Sequence, residues 1–431
     1  MTPGARASAA IEVLEDIARC KRPAAEALKD WGLAHRFAGS GDRAAIGNLV
    51  FDALRTRASS AYAMGDDSPR ALVLRTLVSG WKETPEAVAA LADGSRFAPA
   101  PLSEAELAGL ERDVPSNAPA HLRGDYPEWL GPLFERAFGA RAAEEAAALA
   151  MRAPIDLRAN TLKATREKVL NALRRFDAAP TPYSPVGVRI APGSGPSRSP
   201  HVEAEPGHGK GWYEVQDEGS QLATLLSGAH PREQIIDLCA GAGGKTLQLA
   251  ADMDNTGQLY AYDADRLRLR PIFERLKRAG VRNAQVLPAG DVNALAQLEG
   301  KMDRVVIDAP CTGSGVWRRR PDAKWRLAPR MLEVRLAEQR AVLDQGAALV
   351  KPGGGRLAYI TCSVLPPENR EQVDAFIARF PEFRLVPWQG LWEQALMPAP
   401  PPSADGSTET LLMTPSSFGT DGFYVAALER R

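Results

Sequence analysis

From Trp212 onward the chain repeats one pattern: a short apolar run, a polar turn, then a stretch of helical periodicity. The runs are 235–238, 258–262, 284–287, 304–307 and 356–360, with helical patterns between most of them, as at 266–279 and 331–349. Parallel neighbours cannot be joined by a tight hairpin and need a crossover, which a helix supplies. The alternation therefore predicts a parallel, doubly wound α/β sheet. Two further runs, 411–413 and 423–427, are parted by a polar turn and predict a closing hairpin. Ligands of such sheets bind beyond the carboxyl ends of the strands, where strand order reverses. The residues that close the runs are thus the ones that constrain function.

Four of those closing residues are acids: Asp237, Asp263, Asp291 and Asp308. The first run passes through Cys239-Ala240-Gly241-Ala242-Gly243-Gly244-Lys245-Thr246 straight into a helical pattern. Glycines in that turn let the backbone approach a ligand closely. Asp263, twenty positions beyond Gly243, is placed to accept both hydroxyls of a ribose, which indicates a nucleoside cofactor. A phosphate-cradling P-loop would need glycine where Cys239 stands, and the spacing is wrong for a nicotinamide dinucleotide. S-adenosyl-L-methionine carries no phosphate and suits a short glycine turn among acids, with Asp291 reaching the adenine amine. The expected cofactor set is Cys239, Ala240, Gly241, Ala242, Gly243, Gly244, Lys245, Asp263, Asp291 and Asp308.

Two of the four cysteines, Cys311 and Cys362, follow strands four and five directly into polar loops, Asp308-Ala309-Pro310-Cys311-Thr312-Gly313-Ser314-Gly315 and Thr361-Cys362-Ser363-Val364. Both thus stand on the cofactor edge of one sheet, whereas Cys20 and Cys239 read as small buried hydrophobes. Two thiols beside a methyl donor have a specific use. C5 of cytosine is a poor nucleophile; a thiolate adding to C6 makes an enamine, and C5 can then attack a sulfonium methyl group. An acid near N3 stabilises that adduct, and Asp308 is the expected group, protonated through burial. The residues alone do not order the two thiols.

Composition bounds the rest. With 431 residues, two or three domains are expected, and a formal net charge of zero means that any nucleic-acid contact draws on local positive charge. Four separated cysteines do not form a disulfide framework, and five scattered histidines show no metal-ligand spacing, so no metal is expected. The first residues lack a signal-peptide pattern and no run has the length of a membrane span, which predicts a soluble cytoplasmic protein.

The segments 237–246, 308–315 and 359–364 resemble the motifs of the Nol/Nop/Sun family of RNA cytosine-5 methyltransferases, as do Leu157-Arg158-Ala159-Asn160-Thr161-Leu162-Lys163 and 212–220. Residues 318–326 resemble the bacterial RsmB/Sun-like branch, which acts on 16S rRNA. The resemblance implies a class I (Rossmann-like) S-adenosylmethionine-dependent methyltransferase domain over 212–431. It also implies an all-α NusB-like RNA-binding domain over 1–112 and, at 120–210, a helical linker with a small RRM-like α/β module. It makes Cys362 the nucleophile, gives Cys311 a part in product release, and has Lys245 organise the site. One departure is Gly241-Ala242, where the family commonly carries Ala-Pro; the backbone path stays open. Between Arg318 and Arg340 eight basic residues stand against three acidic ones, with Trp317 and Trp325 among them. That composition predicts a segment that binds phosphates and stacks bases of an unpaired RNA target. A tRNA substrate and a non-catalytic ribosome-assembly factor are the competing readings, and a monomer is expected.

Overall fold

The computed structural model describes residues 1–395 and 397–431, which form two compact units. One comprises Met1–Arg152, Pro192–Pro200 and Trp317–Leu327; the other comprises Ala153–Ala191, His201–Val316 and Ala328–Arg431.

The first unit is helical, from Pro3–Cys20 to Ala142–Ala150. Its helices start where the sequence provides caps: Thr2 before Pro3, Ser68 before Pro69 and Thr84 before Pro85 each accept a backbone N–H of the first turn. Apolar residues three and four apart, such as Ala10, Val13, Leu14 and Ile46, Leu49, Val50, Ala53, meet in one core. At its margin Asp52 accepts the Trp81 indole N–H at 2.9 Å and an ion pair from Arg152. The unit runs past the expected boundary at 112, because the helices up to Ala150 belong to it.

The segment Trp317–Leu327 also lies in this unit, and the two tryptophans expected to stack on bases pack within it. Trp317 is 2% exposed and stacks on Phe134 with ring centroids 5.8 Å apart. The Trp325 indole donates to the Leu54 carbonyl at 2.6 Å. Lys324, 1% exposed, gives its ammonium protons to the carbonyls of Arg55 and Asp125, and burial lowers its pKa to about 7. Trp317 and Lys324, both buried, are thereby withdrawn from a base.

The second unit holds two sheets. The smaller consists of β1 (Ile155–Ala159), β2 (Ala179–Pro180), β3 (Gly187–Ile190) and β4 (Tyr213–Val215), in the order β2-β3-β1-β4 with every pair antiparallel. The larger contains β5 (Gln234–Asp237), β6 (Gln258–Ala261), β7 (Ala284–Val286), β8 (Arg304–Asp308), β9 (Arg356–Thr361), β10 (Phe383–Val386), β11 (Leu411–Met413) and β12 (Phe423–Arg430). Its order is β10-β12-β9-β8-β5-β6-β7, with β5 to β9 parallel and β12 antiparallel to β9, β10 and β11. The chain builds outward from β5 through β6 and β7, then returns to the other side of β5 with β8. Strand order therefore reverses between β5 and β8, where a doubly wound sheet opens its crevice. The expected hairpin is present as β11 and β12; β10, an edge strand, lies outside the runs expected from the sequence.

The 157–163 segment staples the two sheets. Arg158, 2% exposed, reaches from β1 to the Gly244 carbonyl at 2.9 Å and to the Gln216 side chain. Asn160 Nδ2 donates to the carbonyls of Gly211 and Ala279. A buried guanidinium so committed fixes the glycine turn from behind.

Candidate active site

The crevice at the β5/β8 reversal is a cleft of about 200 Å³ lined by Gln216, Ser220, Asp237, Cys239, Ala240, Gly241, Ala242, Gly244, Lys245, Arg268 and Asp308. Most of the expected cofactor set is thus brought together. Asp263 stands beside it, 4% exposed, with Oδ2 accepting the Gly241 N–H at 2.9 Å and Oδ1 the Asp265 N–H at 2.8 Å. Gly243 serves the turn rather than the cleft: its φ is +87°, and a Cβ there would lie 2.5 Å from Ile272 Cγ1. Asp291 caps the short helix Val292–Ala296 through Oδ1, which accepts from Asn293 and Ala294. It does not line the cleft.

The charged groups of the cleft are three acids, Lys245 and Arg268, whose guanidinium stands 3.9 Å from Asp263 Oδ2. Asp237 is fully buried; Oδ2 accepts from Thr246 Oγ1 at 2.7 Å and Oδ1 has no partner among the described residues. Burial, opposed by the Thr246 hydrogen bond, pushes its pKa up to about 7. Burial also pushes the Cys239 thiol well up, with the nearby carboxylates adding to it, so Cys239 stays neutral. Lys245 Nζ donates to Asp308 Oδ2 at 2.8 Å and to Ser220 Oγ at 3.1 Å. The expectation that Asp308 is buried is corrected here: its side chain is 37% exposed and ion-paired with Lys245.

The two thiols meet. Cys311 Sγ and Cys362 Sγ lie 3.3 Å apart, both half-buried and unbonded. The hydrogen bond with Cys362, then burial, then the charge of Glu368 raise the Cys311 pKa well above an ordinary thiol's. Their loops are held by backbone contacts: Gly315 N donates to the Cys362 carbonyl at 2.9 Å and Val364 N to Ser314 Oγ at 2.9 Å. Glycine is obligatory at 315, because a Cβ would lie 2.2 Å from the Gly422 carbonyl oxygen. Glu368 is the residue that sequence reasoning missed. It lies in the turn Pro366–Glu368 after the Thr361-Cys362-Ser363 loop and accepts hydrogen bonds from residues next to both cysteines. Nothing in its spacing distinguishes it from a surface glutamate.

Among the described residues no group of acids, cysteines and histidines could hold a metal, and no helix is long and apolar enough to cross a membrane. The cleft does fit a nucleoside-bearing sulfonium. A buried carboxylate oxygen on Asp237 that has no partner among the described residues, with the small residues Ala240, Gly241, Ala242 and Gly244, suits a cationic, phosphate-free ligand.

The comparisons with known proteins agree. A model of the 16S rRNA methyltransferase RsmB/F family matches residues 223–429, and one of the ferredoxin-like domain of RsmF/B-like methyltransferases matches 126–194. The probable ribosomal RNA small subunit methyltransferase B of Synechocystis sp. is 32% identical over 313 residues, which are 71% of this chain and 67% of that one. The ribosomal RNA small subunit methyltransferase B of Vibrio cholerae is 32% identical over 338 residues, 77% of this chain and 72% of the relative. The crystal structure of a methyltransferase homologue from Pyrococcus horikoshii superposes with a TM-score of 0.60 at 26% identity, covering 74% of this chain and all (100%) of that one. Fold, cleft and relatives converge: the chain belongs to the 16S rRNA methyltransferase RsmB/F family and is an S-adenosyl-L-methionine-dependent RNA methyltransferase.

Proposed function

We propose that the enzyme methylates C5 of a cytosine in 16S rRNA through a covalent bond between Cys362 and C6 of the base. The observation that carries this reading is the pair of thiols in contact at 3.3 Å, at the ends of the adjacent parallel strands β8 and β9. Methylation of an exocyclic amine or a ribose hydroxyl has no use for even one thiol. S-adenosyl-L-methionine supplies an electrophilic methyl group, and the Asp237–Asp308 cleft holds it. Cys362 Sγ forms the bond to C6, which makes C5 nucleophilic. Asp308 meets the N3/N4 edge of the base and accepts a hydrogen bond from the N4 amino group, and the Lys245 ammonium paired with it stabilises the negative charge that develops on the ring. After methyl transfer the C5 proton passes to solvent, the C5=C6 double bond re-forms, and the S–C6 bond breaks with its electron pair returning to the Cys362 sulfur. Cys311, kept neutral, donates its S–H toward the departing Cys362 sulfur and so assists release.

In this reading the helical unit and the four-stranded sheet bind RNA, and the substrate, ribosomal RNA, is met in the cytoplasm. A monomer suffices, since one chain supplies every group of the cleft. The test pairs two substitutions in the presence of cofactor and 16S rRNA. Cys311→Ala is expected to accumulate a protein–RNA adduct that survives a denaturing gel, and Cys362→Ala to give neither adduct nor methylated RNA. The opposite pattern exchanges the roles of the thiols. Methylated tRNA with untouched rRNA overturns the substrate assignment.

A further inference from the structure

We propose that Glu368 is a positioning residue whose carboxylate locks the Cys311 and Cys362 loops in register, so that the two sulfurs stay in contact. Glu368 is fully buried, and its two oxygens receive four protein hydrogen bonds. Oε1 accepts the Thr312 backbone N–H at 2.7 Å and Gln339 Nε2 at 3.0 Å. Oε2 accepts Thr312 Oγ1 and Ser363 Oγ, each at 2.5 Å. Thr312 is the neighbour of Cys311 and Ser363 the neighbour of Cys362, so one side chain grips both loops beside their sulfurs. Gln339, on the helix Pro329–Leu349, also donates to the Pro310 carbonyl at 2.9 Å, fixing the other side of Cys311.

The geometry calls for reach as much as for charge. A carboxylate is acceptor-only and can take all four donors at once. Glutamine has the same reach: its oxygen can face Thr312 N–H and Gln339, while its amide faces two hydroxyls that can rotate to accept. Aspartate keeps the charge but is one methylene short of spanning both loops. Burying a charged group merely to support a fold would be a poor choice, because an apolar side chain of equal size costs less.

The role of the grip in catalysis rests on the thiol mechanism proposed above, but its test does not. Phenylarsine oxide bonds two neighbouring thiols together, and its capture by the intact protein, mapped to the Cys311 and Cys362 peptides, reads their register directly. Glu368→Ala and Glu368→Asp are expected to lower capture by about tenfold or more, while each single thiol still alkylates. Glu368→Gln is expected to restore most of the capture, and methyl transfer to follow the same ranking. Should the alanine variant not fold, the aspartate and glutamine variants decide between them. Capture at the wild-type level in Glu368→Asp, or rescue by aspartate but not by glutamine, overturns the proposal. A wild-type protein that captures the arsenical in this pattern yet methylates no RNA refutes the function and leaves the grip standing.

Discussion

Asp237 ends β5 with one carboxylate oxygen on Thr246 and the other, buried, without a partner among the described residues. Its pKa of about 7, against an ordinary 3.8, says that the folded chain holds a proton there which the unfolded chain releases. Between those two values the native state binds more protons than the unfolded one, so this stabilising contribution is full below pH 3.8 and is lost as pH rises through 7. Asparagine cannot titrate and removes the slope. Between pH 5 and 7 the cofactor-free wild type should lose on the order of 2 to 3 kcal/mol relative to Asp237→Asn. Urea melts of both proteins across that range measure the difference. Asp252, also raised to about 7 by burial, titrates equally in both and cancels. Parallel pH profiles would mean that Asp237 is ionised throughout. The same open oxygen makes the site ready for a cation: a sulfonium ligand favours the carboxylate that burial disfavours, so cofactor binding and proton release are coupled.

At the scale of elements, much was legible in the chain because the chemistry is attached to strand ends. A run of apolar residues announces β5, β6, β8 or β9, and the residues that close it or follow it are then functional candidates, as Asp237, Asp308, Cys311 and Cys362 are. What was not legible depends on partners distant in sequence. Asp291 looks like the other strand-end acids, and its part as the cap of the helix it starts, through Oδ1, is visible only in the structure. The segment Trp317–Leu327 is cationic and aromatic whether its rings face RNA or a helical core, and no periodicity separates the two. The structure separates them by direction, and mutation can test it. Trp317→Ala should cost about 3 to 5 kcal/mol, because a buried indole stacked on Phe134 is deleted. Trp317→Phe should cost far less, since it keeps a ring there and removes an indole N–H that has no partner among the described residues. Thermal melts measure both. A base-stacking role would instead leave the melts unchanged and lower RNA affinity.

For the whole molecule, the consequence is that neither unit is a continuous piece of chain. The helical unit takes Pro192–Pro200 and Trp317–Leu327 from stretches that follow, in sequence, two different parts of the sheet-bearing unit. Arg152 and Asn48 hold the first insert by its carbonyls: Arg152 bonds those of Gly193 and Gly195, and Asn48 those of Gly195 and Ser197. Trp317, Lys324 and Trp325 fill the helical unit with the second, and Asp322 Oδ2 accepts the Ala24 N–H that opens a helix. A domain cut at Arg152 would lack all of these while keeping the helices that surround them. Each missing large side chain leaves a cavity or an unpaired carbonyl, and stability of a unit this size is only about 5 to 15 kcal/mol. The fragment 1–152 is therefore expected to keep helical circular dichroism, bind a hydrophobic dye and melt without a cooperative transition. A fusion that appends residues 192–200 and 317–327 through flexible linkers should restore a sharp melt. A cooperative transition in the bare fragment would show that the inserts decorate the bundle. Loss in the bare fragment and recovery in the fusion would show instead that the chain folds its helical unit only after the strand β8 and the Cys311 loop have been made. That order would tie completion of the helical unit to the presence of the catalytic loop.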